Sequence, residues 1–108
     1  MTTDEIIRID STALDLLLRT IYRADFYLVE DDSGFTMEVI TRTKGGAKMG
    51  HYALDQVRGN GPKVWKHLDV ATKFIKTQIQ THKDLNVSGV MVLFCDRGPA
   101  DRSLIGKN

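Results

Sequence analysis

One cysteine, Cys95, stands in 108 residues. A lone thiol excludes an intramolecular disulfide and any zinc site built from several cysteines, and it fits a reducing, cytosolic compartment. Charge of one sign is also missing: 15 basic against 14 acidic residues leave a formal net charge of +1. No global field therefore draws this chain to nucleic acid or to an anionic membrane, and any such binding needs a local patch. Long apolar runs are absent, and none approaches the roughly 20 residues that span a bilayer. The opening MTTDEIIRID is acidic and lacks the basic-then-apolar order of a signal peptide. The expectation is a soluble, cytoplasmic protein. With 42% hydrophobic and 27% charged residues, the composition is that of an ordinary folded domain, and the length suits one domain with one core.

Residues 1–9 read as a loose lead-in from which Ile6 and Ile7 dock on the core. Asp10 or Ser11 offers a side-chain oxygen to the free N–H groups of a first helical turn. Leu14, Leu17, Leu18 and Ile21 then recur on one helical stripe, predicting a helix over residues 12–24. The aromatic and β-branched stretch 26–30 runs into Asp31-Asp32-Ser33-Gly34, which is hairpin-turn chemistry. Over residues 35–42, Phe35, Met37, Val39 and Thr41 alternate with Thr36, Glu38, Ile40 and Arg42, the period of a strand with one apolar face. Residues 43–50, rich in glycine and lysine, read as a flexible loop.

The organising stretch is 51–81. A strand over 52–58 meets the Gly59-Asn60-Gly61-Pro62 turn, and a short strand over 63–66 follows. An amphipathic helix capped by Asp69 then buries Leu68, Ala71, Phe74, Ile75 and Ile79 and fades near residue 81. Residues 87–94 are the most apolar run, and their length and β-branching predict a buried strand. Gly98-Pro99 ends regular structure, and residues 98–108 form a loose tail in which Leu104 and Ile105 are free to add an edge strand. The order α-β-β-β-β-α-β predicts a single α+β domain: a mostly antiparallel sheet of four to five strands with two helices on one face.

No catalytic signature is present, so the expectation is a protein that is not an enzyme and needs no cofactor. The glycines and lysines of GGAKMG lack the Gly-Lys-Ser/Thr end of a phosphate loop, since Gly50 is followed by His51 and Tyr52. His51, His67 and His82 fall in different elements without ligand spacing, so no metal site is expected; His67 and His82 read as surface residues, His82 beside a helix C-terminus. Cys95 and Asp96 follow a strand, where a nucleophile can sit. A small apolar residue closing a core strand is the better reading of Cys95, because reactivity requires an adjacent base or cation.

The basic residues are the most suggestive set. Arg42, Lys44, Lys48, Arg58, Lys63 and Lys66 gather at loops and hairpin ends, with Lys73 and Lys76 on the helix that follows. A hairpin bearing them suits contact with a phosphate backbone, where each neutralised phosphate releases counterions. Lysines at loop tips are also ordinary solvated residues, and Trp65 among them fits the core better than a stacking platform. The open edge of the sheet is the second candidate: strand 35–42 and the apolar last strand can pair across a two-fold axis in a homodimer.

Leu54, Arg58-Gly59, Lys63, Trp65, Leu68-Asp69, Ala71, Phe74 and Ile75 together form a hairpin-helix unit over residues 52–79. This unit resembles small plasmid-encoded accessory proteins of partition, stability or transfer in bacteria. The resemblance implies a non-enzymatic protein of plasmid maintenance or gene regulation that contacts DNA or a DNA-bound partner. The alternative from the residues themselves is a protein-interaction module that binds or dimerises through a sheet edge without nucleic acid.

Overall fold

The computed structural model describes residues 5–58 and 61–106. Of the expected features, Gly59 and Asn60 of the turn, residues 1–4 of the lead-in and residues 107–108 of the tail lie outside the described residues. Five strands, β1 (Ile6–Ile9), β2 (Arg23–Asp31), β3 (Gly34–Arg42), β4 (Lys48–Leu54) and β5 (Val90–Leu93), form one sheet in the order β1-β4-β3-β2-β5. Two helices, α1 (Ser11–Thr20) and α2 (Leu68–Thr81), join them.

The fold is α+β as expected, but the sheet is mixed rather than mostly antiparallel. β3 is antiparallel to both of its neighbours, while β1 pairs with β4 and β5 pairs with β2 in parallel. The difference begins at residues 6–9. They are an edge strand in register with 51–54 rather than a loose lead-in, because their β-branched residues find a ladder supplied by distant sequence. The element order is therefore β-α-β-β-β-α-β, and each helix becomes a crossover between parallel strands.

α1 starts as expected: the Ala13 N–H donates to Asp10 Oδ1 at 2.9 Å. It ends at Thr20 rather than near Ala24, since Arg23 and Ala24 are taken into the ladder opposite Arg42 and Thr41. α2 is capped at His67 without a side-chain bond, and Asp69 lies inside its first turn, where a carboxylate favours the helix dipole.

β4 begins four residues earlier than the expected strand, at Lys48, and stops at Leu54. Glycine at position 50 does not break it. A Cβ there would come within 2.8 Å of the Tyr52 ring, which lies against the bare backbone on the same side of the strand. Residues 63–66 are not a strand. They touch the sheet through the Lys63 N–H on the Leu54 carbonyl and a single bridge from Trp65 to Phe35, and Pro62 before them has no N–H with which to continue a ladder.

The helix-facing side of the sheet is apolar. Ala24, Phe26 and Leu28 of β2, Phe35, Met37 and Val39 of β3 and Leu54 of β4 meet Leu14 and Leu18 of α1 and Ala71 and Ile75 of α2. Trp65 joins them, its ring 5.2 Å from that of Phe74. The expected buried strand 87–94 is instead the short edge strand β5, with Val90 and Met91 exposed. An apolar run reads the same whether it ends up central or at an edge.

Gly34 closes the β2–β3 turn at φ 137°, and a Cβ there would lie 2.4 Å from the Trp65 carbonyl oxygen. That oxygen accepts the Phe35 N–H at 2.7 Å, so it cannot retreat without losing the bond. Gly46 also has a positive φ, 94°, but nothing within 4 Å. Gly34→Ala is expected to destabilise by about 3 kcal/mol and Gly46→Ala by about 1 kcal/mol, measured by denaturant unfolding; equal losses would show that backbone conformation alone, without the clash at Trp65, sets the cost.

Candidate functional site

The six basic residues expected to form one patch are placed in three settings. Arg42 is buried at 3% exposure. Its Nε donates to Asp25 Oδ2 at 2.9 Å, Nη1 to the Gly46 carbonyl at 3.0 Å and Nη2 to the Gly106 carbonyl at 3.1 Å. That guanidinium is committed to the interior. Lys44 is exposed on the β3–β4 connection, and Lys48 pairs opposite Arg42 at the start of β4. Arg58, Lys63 and Lys66 are exposed at the other end of the sheet, where Trp65 bridges to Phe35. At about 3.4 Å per residue, Phe35 and Arg42 lie about 24 Å apart along β3. Lys44 and Lys48 thus belong to one end of the molecule, and Arg58, Lys63 and Lys66 to the other.

At the second end a groove of about 670 Å³ runs between the end of β4 and α2. Leu54, Val57, Val64 and Phe74 supply its apolar lining, and Arg58, Lys63 and Asp55 its charges. Val57 is more than half exposed. The Lys63 ammonium lies 5.8 Å from the centre of the Trp65 ring, within cation–π reach. Asp55 is held by Arg8 of β1, whose Nε and Nη2 reach its Oδ1 at 2.9 and 2.6 Å, so the unmatched charge of the groove is positive.

The two edges of the sheet differ in chemistry. β1 carries Arg8, flanked by Glu5, a charged edge of the kind that discourages pairing. β5 carries no charge, and neither does any residue from 87 to 94. Its other side pairs with β2 through residues 26–29, which leaves its outer N–H and C=O groups without a strand among the described residues.

A third constellation escaped the sequence reading. On the side of the sheet away from the helices, Asp25, Glu38, Arg42 and His51 are all buried. Alternation separates Thr36, Glu38, Ile40 and Arg42 from the apolar set Phe35, Met37 and Val39, and the chain after β5 reaches over Glu38 and Arg42. His51 Nε2–H donates to Glu38 Oε1 at 2.5 Å, and Arg102 engages both oxygens of the same carboxylate, Nη2 reaching Oε1 at 2.9 Å. Burial pushes the Glu38 carboxyl up, but the hydrogen bonds from His51 and Arg102 and the positive charge of Arg102 outweigh it and hold the group below its ordinary range. The only signal in the sequence was Arg102 beside Leu104 and Ile105 in a stretch otherwise read as loose.

His82 is likewise not a surface residue. It is 8% exposed, with Nδ1 2.8 Å from the Gln78 carbonyl and Nε2 2.9 Å from Asp15 Oδ1, and it ties the end of α2 to α1. His67 is exposed. Cys95 is half-buried, its N–H donating to Glu30 Oε1 at 3.1 Å and its sulfur 3.5 Å from the same oxygen. Burial, the bond to Glu30 and the charges of Glu30 and Asp32 raise its pKa, which disfavours the thiolate a nucleophile requires. Among the described residues no group of His, Cys, Asp and Glu is arranged to hold a metal, and no helix is long and apolar enough to cross a membrane.

A carboxyl whose folded pKa is depressed contributes stability above its unfolded value, near 4.3 for glutamate, and that contribution is lost as pH falls through the folded value. Denaturant stability is therefore expected to fall as pH drops below the ordinary glutamate range, and Glu38→Gln to flatten that fall; an unchanged acid limb in the variant would show that Glu38 is not linked to folding. Comparisons with protein-family models, with curated proteins and with solved structures find no match to this chain.

Proposed function

We propose that this is a non-enzymatic binding protein that acts by strand pairing along β5, with a second copy of itself as the partner. The observation that carries this reading is the uncharged outer edge of β5, with Val90, Met91 and Phe94 exposed beside it. Unpaired backbone groups on an apolar strand favour another strand over water. Antiparallel pairing about a two-fold axis brings each residue of β5 opposite a residue of its own strand. Identical partners at a charged edge would set like charges near one another; at β5 they set valine, methionine and leucine together. The other edge is guarded by Arg8 and Glu5, so growth would stop at a dimer with one continuous sheet.

The experiment is light scattering over the micromolar range at low and high salt, on the wild-type chain and on Met91→Lys. A dimer insensitive to salt is expected for the wild type, and a folded monomer for the variant, since a lysine on an edge strand opposes pairing. A wild-type chain that stays monomeric throughout, or a variant that dimerises equally well, would remove β5 as the interface.

Arg58, Lys63 and Lys66, together at one end of the sheet, support a second reading: contact with a DNA backbone, in the plasmid-maintenance role that the resemblance of residues 52–79 implies. Paired Lys63→Glu and Lys66→Glu substitutions are then expected to weaken duplex binding in fluorescence anisotropy and to lower the salt slope by about 0.9 for each phosphate that is no longer neutralised. Binding that ignores both reversals would eliminate this cluster as the DNA-facing surface.

A further inference from the structure

On the face of the sheet opposite the helices, Asp25, Glu38, Arg42 and His51 are buried although no full helix or strand lies over them. Residues 98–106 cover that face, contain one 3₁₀ turn at Arg102–Leu104, and add no strand. We infer that this face is a receptor for an extended, arginine-bearing segment of a partner protein, occupied here by the chain's own Arg102 as an internal stand-in.

The receptor is the Glu38 carboxylate. It stands on β3, the middle strand, is 4% exposed, and is fixed from below by His51. Both its oxygens face the incoming guanidinium, the fork-on-fork geometry that selects arginine over lysine. Arg102 comes from outside, and its side chain is nearly half exposed even when docked. Residues 101–104 are exposed, and further along the Gly106 carbonyl accepts from Arg42.

The cover is also smaller than the face. A cavity of about 390 Å³ lies on one side of Arg102, lined by Val29, Thr36 and Cys95 with the acidic Glu30, Asp31 and Asp32. Another of about 250 Å³, also lined by Arg102 and Thr36, extends toward Ile6 and Ala53. A longer segment has room in both directions, and the acidic side favours a cationic one. Lifting the cover removes Arg102 from Glu38 but also opens that carboxylate to water, and the contacts within the sheet persist. Arg42 keeps Asp25 and the Gly46 carbonyl, and Glu38 keeps His51. The uncovered face is thus a ready surface, and a segment already joined to the protein holds it at high effective concentration until a competitor arrives.

The probe is a fluorescent peptide, Gly-Pro-Ala-Asp-Arg-Ser-Leu-Ile-Gly, copied from residues 98–106, titrated into the full chain. Arg102→Ala is expected to bind it and the wild type to bind at least about tenfold more weakly, its face being filled. Replacing the peptide's arginine by alanine, or adding Glu38→Gln to the protein, is expected to lower binding about tenfold or more. Arg102→Lys, which keeps the cation and loses the fork, serves as the receptor if Arg102→Ala does not fold. Equal binding by wild type and variant, or binding indifferent to the peptide's arginine, would overturn the proposal. So would a wild-type dimer that Arg102→Ala disperses and Met91→Lys leaves intact, which would assign the face to the tail of a second copy.

Discussion

Glu38 lies at the centre of the middle strand, and burying a carboxylate there commits two other parts of the chain. β4 must bring His51 alongside, the segment after β5 must return Arg102, and the sheet must keep its register so that the three meet. An ionised group in this position without partners would cost several kcal/mol. Arg42 and Asp25 repeat the logic one pair further along the same face. Among the described residues no buried side-chain polar atom lacks a hydrogen-bond partner, so the polar face is closed by pairing rather than by dehydration alone.

The two faces of β3 therefore stabilise the fold by different physics. Toward the helices, Phe35, Met37 and Val39 lose water against leucine, tryptophan and isoleucine, an effect without direction that tolerates repacking. Away from them, Glu38 and Arg42 require named partners at fixed angles, and such pairings contribute more to a single arrangement than to net stability.

Local elements were legible where local physics decides. The Asp10 cap, the stripe of Leu14 and Leu18, the alternation over residues 35–42 and the core placement of Trp65 all follow from spacing and side-chain chemistry. What was not legible depends on partners far off in the chain. Residues 6–9 become a strand only because 51–54 stand beside them, and that parallel ladder is why the sheet is mixed. The basic residues look contiguous in sequence, yet β3 holds Lys44 and Lys63 at opposite ends of its length. Arg42 turned inward because Asp25 lies across the ladder at Ile40, next to Arg42's own pairing with Arg23. Alternation assigned Glu38 correctly to the second face of the strand, but it carries no information about whether something later covers that face.

The separation of 64 residues between Arg102 and Glu38 also has a consequence for how the chain is born. β2, β3 and β4 are consecutive and pair with their neighbours in sequence, so this meander can assemble as soon as it leaves the ribosome. Until the later segment is made, the side bearing Glu38, Arg42 and Asp25 has no Arg102 or Gly106 over it. Only when residues 102–106 emerge is that side sealed. A sheet face that must wait for its cover is better left charged than apolar, because charge discourages pairing with other chains.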